Sequence, residues 1–224
     1  MWPKAFVLAA KDIRLIALSG YGLAQALLLG LLLIFLFSLA QPANVPVAPQ
    51  WAAAIFWLAS CFSLVLIFNT LYALEEENEA RLALLLAPLA TQTIWLGKAL
   101  GGAFLLLCVQ VVFVPAVIVF LGLEVLSSWV VALGLLIVID WGLVTLGSLL
   151  GALGQGQAGR DSLLTVVIFP LLIPLLLAGI RVGGSLLQID QSAELASWFK
   201  LAGSFDALYT GAVLILFPFV YSNE

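Results

Sequence analysis

Of 224 residues, 64% are hydrophobic and only 9% charged, and a mean hydropathy of +1.23 excludes a soluble globule, which would lack the polar surface to coat itself in water. The net charge of −4 comes without any basic tract, which excludes nucleic acid as a partner, since phosphates demand clustered Lys and Arg. There is no histidine and no CxxC, and Cys61 and Cys108 fall inside apolar runs, so both read as small buried hydrophobes and no metal site is expected.

Lipid offers the backbone no hydrogen-bond partner, so spanning segments rich in Leu, Ala and Val must satisfy their own backbone groups as helices. The short alternating strands of a β-barrel do not occur. The expectation is an all-α polytopic membrane protein with six transmembrane helices in one domain, 1–224. Met1–Ser19 reads as an amphipathic helix on the cytoplasmic surface, with Phe6, Ile13 and Leu15 toward lipid and Lys4, Lys11, Asp12 and Arg14 toward water. Spans follow near 20–39, 51–74, 94–121, 129–153, 163–180 and 205–221. Ser38-Leu39-Ala40 faintly matches a signal-peptidase site, but its apolar run is too long and its lead-in too extended, so a span is the better reading.

Six spans put both termini on one side. With the N-terminus inside, Lys4, Lys11, Arg14, Arg81, Lys98 and Arg160 are cytoplasmic, and Arg181 and Lys200 are outside. This bias supports an N-in, C-in topology. Trp51, Trp129 and Trp198 would mark the outer boundary and Trp95 the inner one.

The second span leads into Glu75-Glu76-Glu77-Asn78-Glu79-Ala80-Arg81 and then Leu82-Ala83-Leu84-Leu85-Leu86-Ala87-Pro88. Carboxylates at a helix head complement its dipole and Pro88 supplies a stop, so a short cytoplasmic helix is expected, acidic first and apolar after. Either it docks into a groove on a soluble partner, with Leu84 and Leu85 as anchors and the charges steering, or it is a solvated cap that keeps the loop out of lipid. Gly154 to Gly159 spells GxGxxG, but behind a membrane span and not in a βαβ unit the match is accidental. A cytoplasmic loop closed by Arg160 and Asp161 explains it better, with Asp161 or Ser162 capping the fifth span. No GxxxxGK[ST] loop occurs, so nucleotide-driven work would fall to a separate subunit.

Asp140 lies near the middle of the fourth span, where a charged carboxylate costs about 2.5–3.5 kcal/mol. It must be protonated, paired or hydrogen-bonded, and Asn69, Gln110 and Thr145 are the intramembrane candidates. Pro170 and Pro174 lie on nearly one face of the fifth span and Pro115 in the third, each removing an internal hydrogen bond, as kinks or hinges. Gly147 and Gly151 form a small-xxx-small packing face. The 183–203 stretch reads as including an outer surface helix. From these residues a permease subunit competes with a stand-alone secondary transporter or channel using Asp140, and with a non-transporting scaffold. An intramembrane enzyme is weak, since no Ser/His, two-carboxylate or metal constellation is visible.

The acidic segment running into Leu84-Leu85-Leu86-Ala87-Pro88-Leu89, then Trp95-Leu96-Gly97-Lys98-Ala99-Leu100, and later Phe169-Pro170-Leu171-Leu172-Ile173-Pro174-Leu175-Leu176, resembles the CcmB family, heme exporter protein B of bacterial cytochrome c maturation. The likeness extends from about Trp51 to Ala178. It implies an ABC-type permease in the bacterial inner membrane that pairs with a cytoplasmic ATPase, CcmA. Its other implied partners are the heme-handling membrane protein CcmC, the small CcmD and a second copy of itself. ATP would act through the partner subunit, driving heme delivery or release of the heme chaperone CcmE. Heme would be held by the associated heme-handling subunit and no cofactor bound by this chain, which fits its lack of histidine. Glu75, Glu76, Glu77, Glu79, Arg81, Leu84, Leu85 and Pro88 would then receive the ATPase. The family's acidic segment usually carries Gly where this chain has Ala80, so the docking surface would be tuned to its own ATPase.

Overall fold

The computed structural model describes residues 2–42, 47–77, 83–84, 86–123, 128–154, 161–187 and 195–222. Among them the chain folds into α1 (Trp2–Ser19), α2 (Tyr21–Ala40), α3 (Pro49–Glu77), α4 (Thr91–Leu121), α5 (Trp129–Leu153), α6 (Asp161–Leu186) and α7 (Leu195–Ser222), with no strand. Helices α2, α3, α4, α5 and α7 are long and apolar enough to cross a membrane, and α6 adds the shorter apolar stretch Pro170–Leu186. The protein is a polytopic helical membrane protein.

The helices overrun the apolar windows. Polar residues next to a span cost nothing in water while the backbone hydrogen bonds continue, so α3 extends through Glu77 and α7 begins at Leu195. Trp198, Phe199 and Lys200, expected on a separate surface helix, are the first turns of α7. Pro115 lies within α4 and Pro170 and Pro174 within α6, and both helices run on through them. Beside the paired prolines, the Tyr209 hydroxyl of α7 donates to the Leu171 carbonyl at 2.6 Å, which ties α7 to the stretch where two backbone donors are missing. Gly20, with φ 65°, occupies the left-handed region and lets the chain turn from α1 directly into α2.

Glycines set the helix spacing. A Cβ on Gly147 would meet Leu64 at 2.9 Å and one on Gly151 would meet Tyr72 at 2.5 Å, so this face of α5 packs flush on α3. Gly102 receives the Phe68 ring and Gly30 the Phe113 ring in the same manner. Helix α1 lays Ala5 and Ala9 over Gly97 and Gly101 of α4. The outward faces carry Leu28, Leu32 and Leu36 on α2 and Ile215 and Phe219 on α7, apolar side chains suited to lipid.

Trp95 is not the headgroup marker its sequence position suggested. It is buried, and its indole N–H donates to Ser148 Oγ at 2.8 Å, while the Tyr72 hydroxyl donates to the Ser148 carbonyl at 2.9 Å. Ser148→Ala leaves that buried N–H unanswered and should cost about 1–3 kcal/mol. Trp95→Phe removes the donor instead, leaving Ser148 bonded to the Thr145 carbonyl, and should lose only about 1 kcal/mol from the hydrogen bond. Thermal midpoints in detergent rank the two.

Candidate functional site

The start of α4 and the ends of α3 and α7 meet at one end of the bundle, where α1 packs along α4 and reaches α3. Helix α1 presents Ala5, Ala9, Asp12 and Ile16 inward, spaced three to four apart, so Asp12 arrives on the buried face. In α3, Phe68, Leu71, Tyr72 and Glu75 share one buried stripe. Lys98 follows Trp95 by three residues and is buried with it.

These placements assemble four charges. Lys98 Nζ lies 2.7 Å from Glu75 Oε1 and 3.8 Å from Asp12 Oδ2. Lys11 Nζ lies 3.0 Å from Asp12 Oδ1 and 3.4 Å from Glu75 Oε1. The Lys98 ammonium meets Glu75 outside hydrogen-bonding alignment, so the attraction is ionic, and the Tyr72 ring, 4.4 Å away, faces the same cation. The Tyr221 hydroxyl near the end of α7 donates to Glu75 Oε2 at 3.3 Å. Two acids and two bases make the group neutral, which is what permits Lys98, Glu75 and Asp12 to be only 1–2% exposed. Partial burial works against the charge on Lys11, but Asp12 and then Glu75 outweigh it and hold the ammonium above its ordinary pKa.

This corrects the sequence reading at two positions. Asp12, assigned to the water-facing side of α1, is buried. Glu75, grouped with the solvated acidic run, is turned into the bundle, whereas Glu76 is exposed. Glu77 ends α3; Glu79, Arg81, Leu85 and Arg160 lie outside the described residues, and Asp161 opens α6. In the sequence Lys11 reads as facing water, Lys98 as a cytoplasmic flank and Tyr221 as the end of the last span, none of them as a partner of Glu75.

Beyond Glu75 the described part of the loop forms one helical turn, closed by Ala87 N–H donating to the Ala83 carbonyl at 3.1 Å. Leu84 is half-buried against the bundle, Pro88 is exposed, and Leu86 projects with 80% of its surface free. Among the described residues of this turn Leu86 is the leucine that stands free, while Leu84 packs on the protein's own core.

Deeper in the bundle, Asp140 of α5 accepts from Gln110 Nε2 of α4 at 2.7 Å, and the same nitrogen lies 3.3 Å from Ser60 Oγ of α3. Of the three candidate partners, only Gln110 reaches it. Asn69 is exposed on α3, lining a surface cleft with Ser19, Tyr21, Gln25 and Thr70, and Thr145 donates to the Trp141 carbonyl. A second carboxyl, Asp206 of α7, was not singled out; it is buried against Gly142 of α5. Among the described residues no group of His, Cys, Asp and Glu is placed to hold a metal ion.

The model of the family described as CcmB protein matches residues 4–223, nearly the whole chain. No curated protein matches it.

Proposed function

The chain belongs to the CcmB family, the ABC-type permeases of heme transport in cytochrome c maturation, and from that premise we propose that its α3–α4 loop receives a separate cytoplasmic ATPase and passes the stroke into the bundle. The family is one of membrane permeases and the chain is not an enzyme alone; ATP is hydrolysed in the partner. The protein sits in the bacterial inner membrane with both termini and this loop in the cytoplasm, in keeping with the Lys and Arg bias. It works with a CcmC-like heme-handling protein, a CcmD-like small subunit and a second copy of itself. The work performed is heme delivery or release of the heme-loaded chaperone.

The observation that supports the reading is the position of the neutral charge group at the root of the loop. Glu75 stands just before the loop and Lys98 shortly after it, 2.7 Å apart, and Asp12 adds α1 to the same knot. A buried ion pair resists separation because each partner would be left uncompensated. A push on Leu86 therefore moves α3, α4 and α1 together and leaves the loop no freedom to flex idly. Glu76, Glu79 and Arg81 supply the steering charge around that anchor.

Leu86→Asp should abolish co-purification of the ATPase in mild detergent and leave the thermal midpoint of the permease unchanged, since the side chain is exposed. Leu84→Asp, by contrast, should lower the midpoint. Undiminished ATPase recovery with Leu86→Asp would count against the loop as the docking site.

A further inference from the structure

Asp140, 3% exposed and near the middle of α5, has one oxygen held by Gln110, but its Oδ2 has no hydrogen-bond partner. Gln110 Oε1 is likewise buried without a donor. The Gln110 nitrogen is committed to Asp140 and Ser60, and the Ser60 hydroxyl donates to the Phe56 carbonyl at 2.9 Å, so neither supplies what the two oxygens lack. Two adjoining residues thus each present a bare acceptor at membrane depth, where an unmatched polar group is costly and an unmatched charge more so.

Charge decides what belongs there. At the end of the bundle two buried acids meet two bases, but among the described residues no Lys or Arg pairs with Asp140. From α3 the titratable neighbour is the Cys61 thiol, and α4 offers the neutral Gln110. On α6 Arg181 is exposed, and the carboxyl of α7, Asp206, lies on another side of α5, against Gly142. The deficit is a single positive charge beside two unmatched oxygen atoms. A divalent ion would overshoot it and would want more carboxylates than one.

We propose that Asp140, Gln110 and Ser60 form an intramembrane site for one monovalent cation, a proton or a sodium ion. A proton on Oδ2 would neutralise the carboxylate and turn an acceptor without a donor into a donor. Sodium would instead be held by Asp140 Oδ2 and Gln110 Oε1, the two oxygens left over. Either way the cation takes the place of the basic side chain that the site lacks.

The test uses the full-length permease in lipid, with infrared spectra and thermal midpoints taken with and without sodium chloride, choline chloride being the control for ionic strength. A proton appears as the carbonyl stretch of a protonated carboxyl that Asp140→Asn removes. Sodium appears as a rise in the midpoint with sodium over choline, seen in the wild type and lost in Asp140→Asn. Either result supports the site. An ionised carboxylate band assigned to Asp140 and indifferent to sodium overturns it. Should Asp140→Asn fail to accumulate, Gln110→Met keeps the carboxyl and removes its amide partner. It must then shift the protonated band or abolish the sodium response, and a variant that leaves both unchanged also overturns the proposal. The docking test at Leu86 is unaffected by either outcome.

Discussion

Lys98→Met is expected to cost about 3–5 kcal/mol of stability, enough to take a membrane permease below the threshold for accumulation. The substitution keeps an unbranched, flexible side chain one atom shorter and deletes the ammonium at its end. Glu75 and Asp12, each 2% exposed, are then left with Lys11 alone between them. The magnitude comes less from the lost attraction than from the uncompensated carboxylate that stays behind in a low-dielectric setting. Adding Glu75→Gln should restore most of the loss, because Lys11 and Asp12 remain as a balanced pair. A double-mutant cycle on thermal midpoints measures the coupling. Equal stability of Lys98→Met and wild type would mean that the four charges do not act as a unit. The rescued double variant separates folding from transmission: with the fold restored and the ionic link across the loop gone, ATPase binding should persist while coupled activity falls.

Gly97→Leu is expected to lift α1 off the bundle. A Cβ at Gly97 would lie 2.7 Å from Leu8 Cβ and 3.1 Å from the Ala5 carbonyl oxygen, and a backbone atom can retreat only if the helix carrying it moves. Overpacking of this kind costs about 1–3 kcal/mol, and displacement of α1 withdraws Asp12 from Lys98 besides. A cysteine at Ala9, 5% exposed in the native fold, reports the movement in a background without Cys61 and Cys108. Its maleimide labelling should accelerate roughly tenfold or more, the factor that about 1.4 kcal/mol represents. Gly101→Ala is the control, because its Cβ would stand at 3.6 Å from the nearest atom, ordinary contact. Slow labelling in Gly97→Leu would show that α1 is held by something other than its seat on α4.

The all-helical membrane fold and the helices long and apolar enough to cross lipid were legible in the sequence because they depend on runs of neighbouring residues. Hydropathy over about 20 residues decides whether a helix can cross lipid, and a three-to-four spacing of small residues decides which of its faces can be buried. The family was legible for the same reason, in contiguous stretches such as Leu84 to Leu89 and Phe169 to Leu176. Burial of a charge has no such local cause. Glu75 and Glu76 are the same residue type one position apart, yet one is in the bundle and the other in water, and the difference is Lys98 and Lys11 arriving from α4 and α1. Asp140 shows the intermediate case: its need of a partner follows from its depth, but the choice of Gln110 over Asn69 and Thr145 rests on which helix face α4 turns toward α5. A carboxylate can leave water only where opposite charge or hydrogen-bond donors already wait, and those come from elements far along the chain, brought close by helix packing.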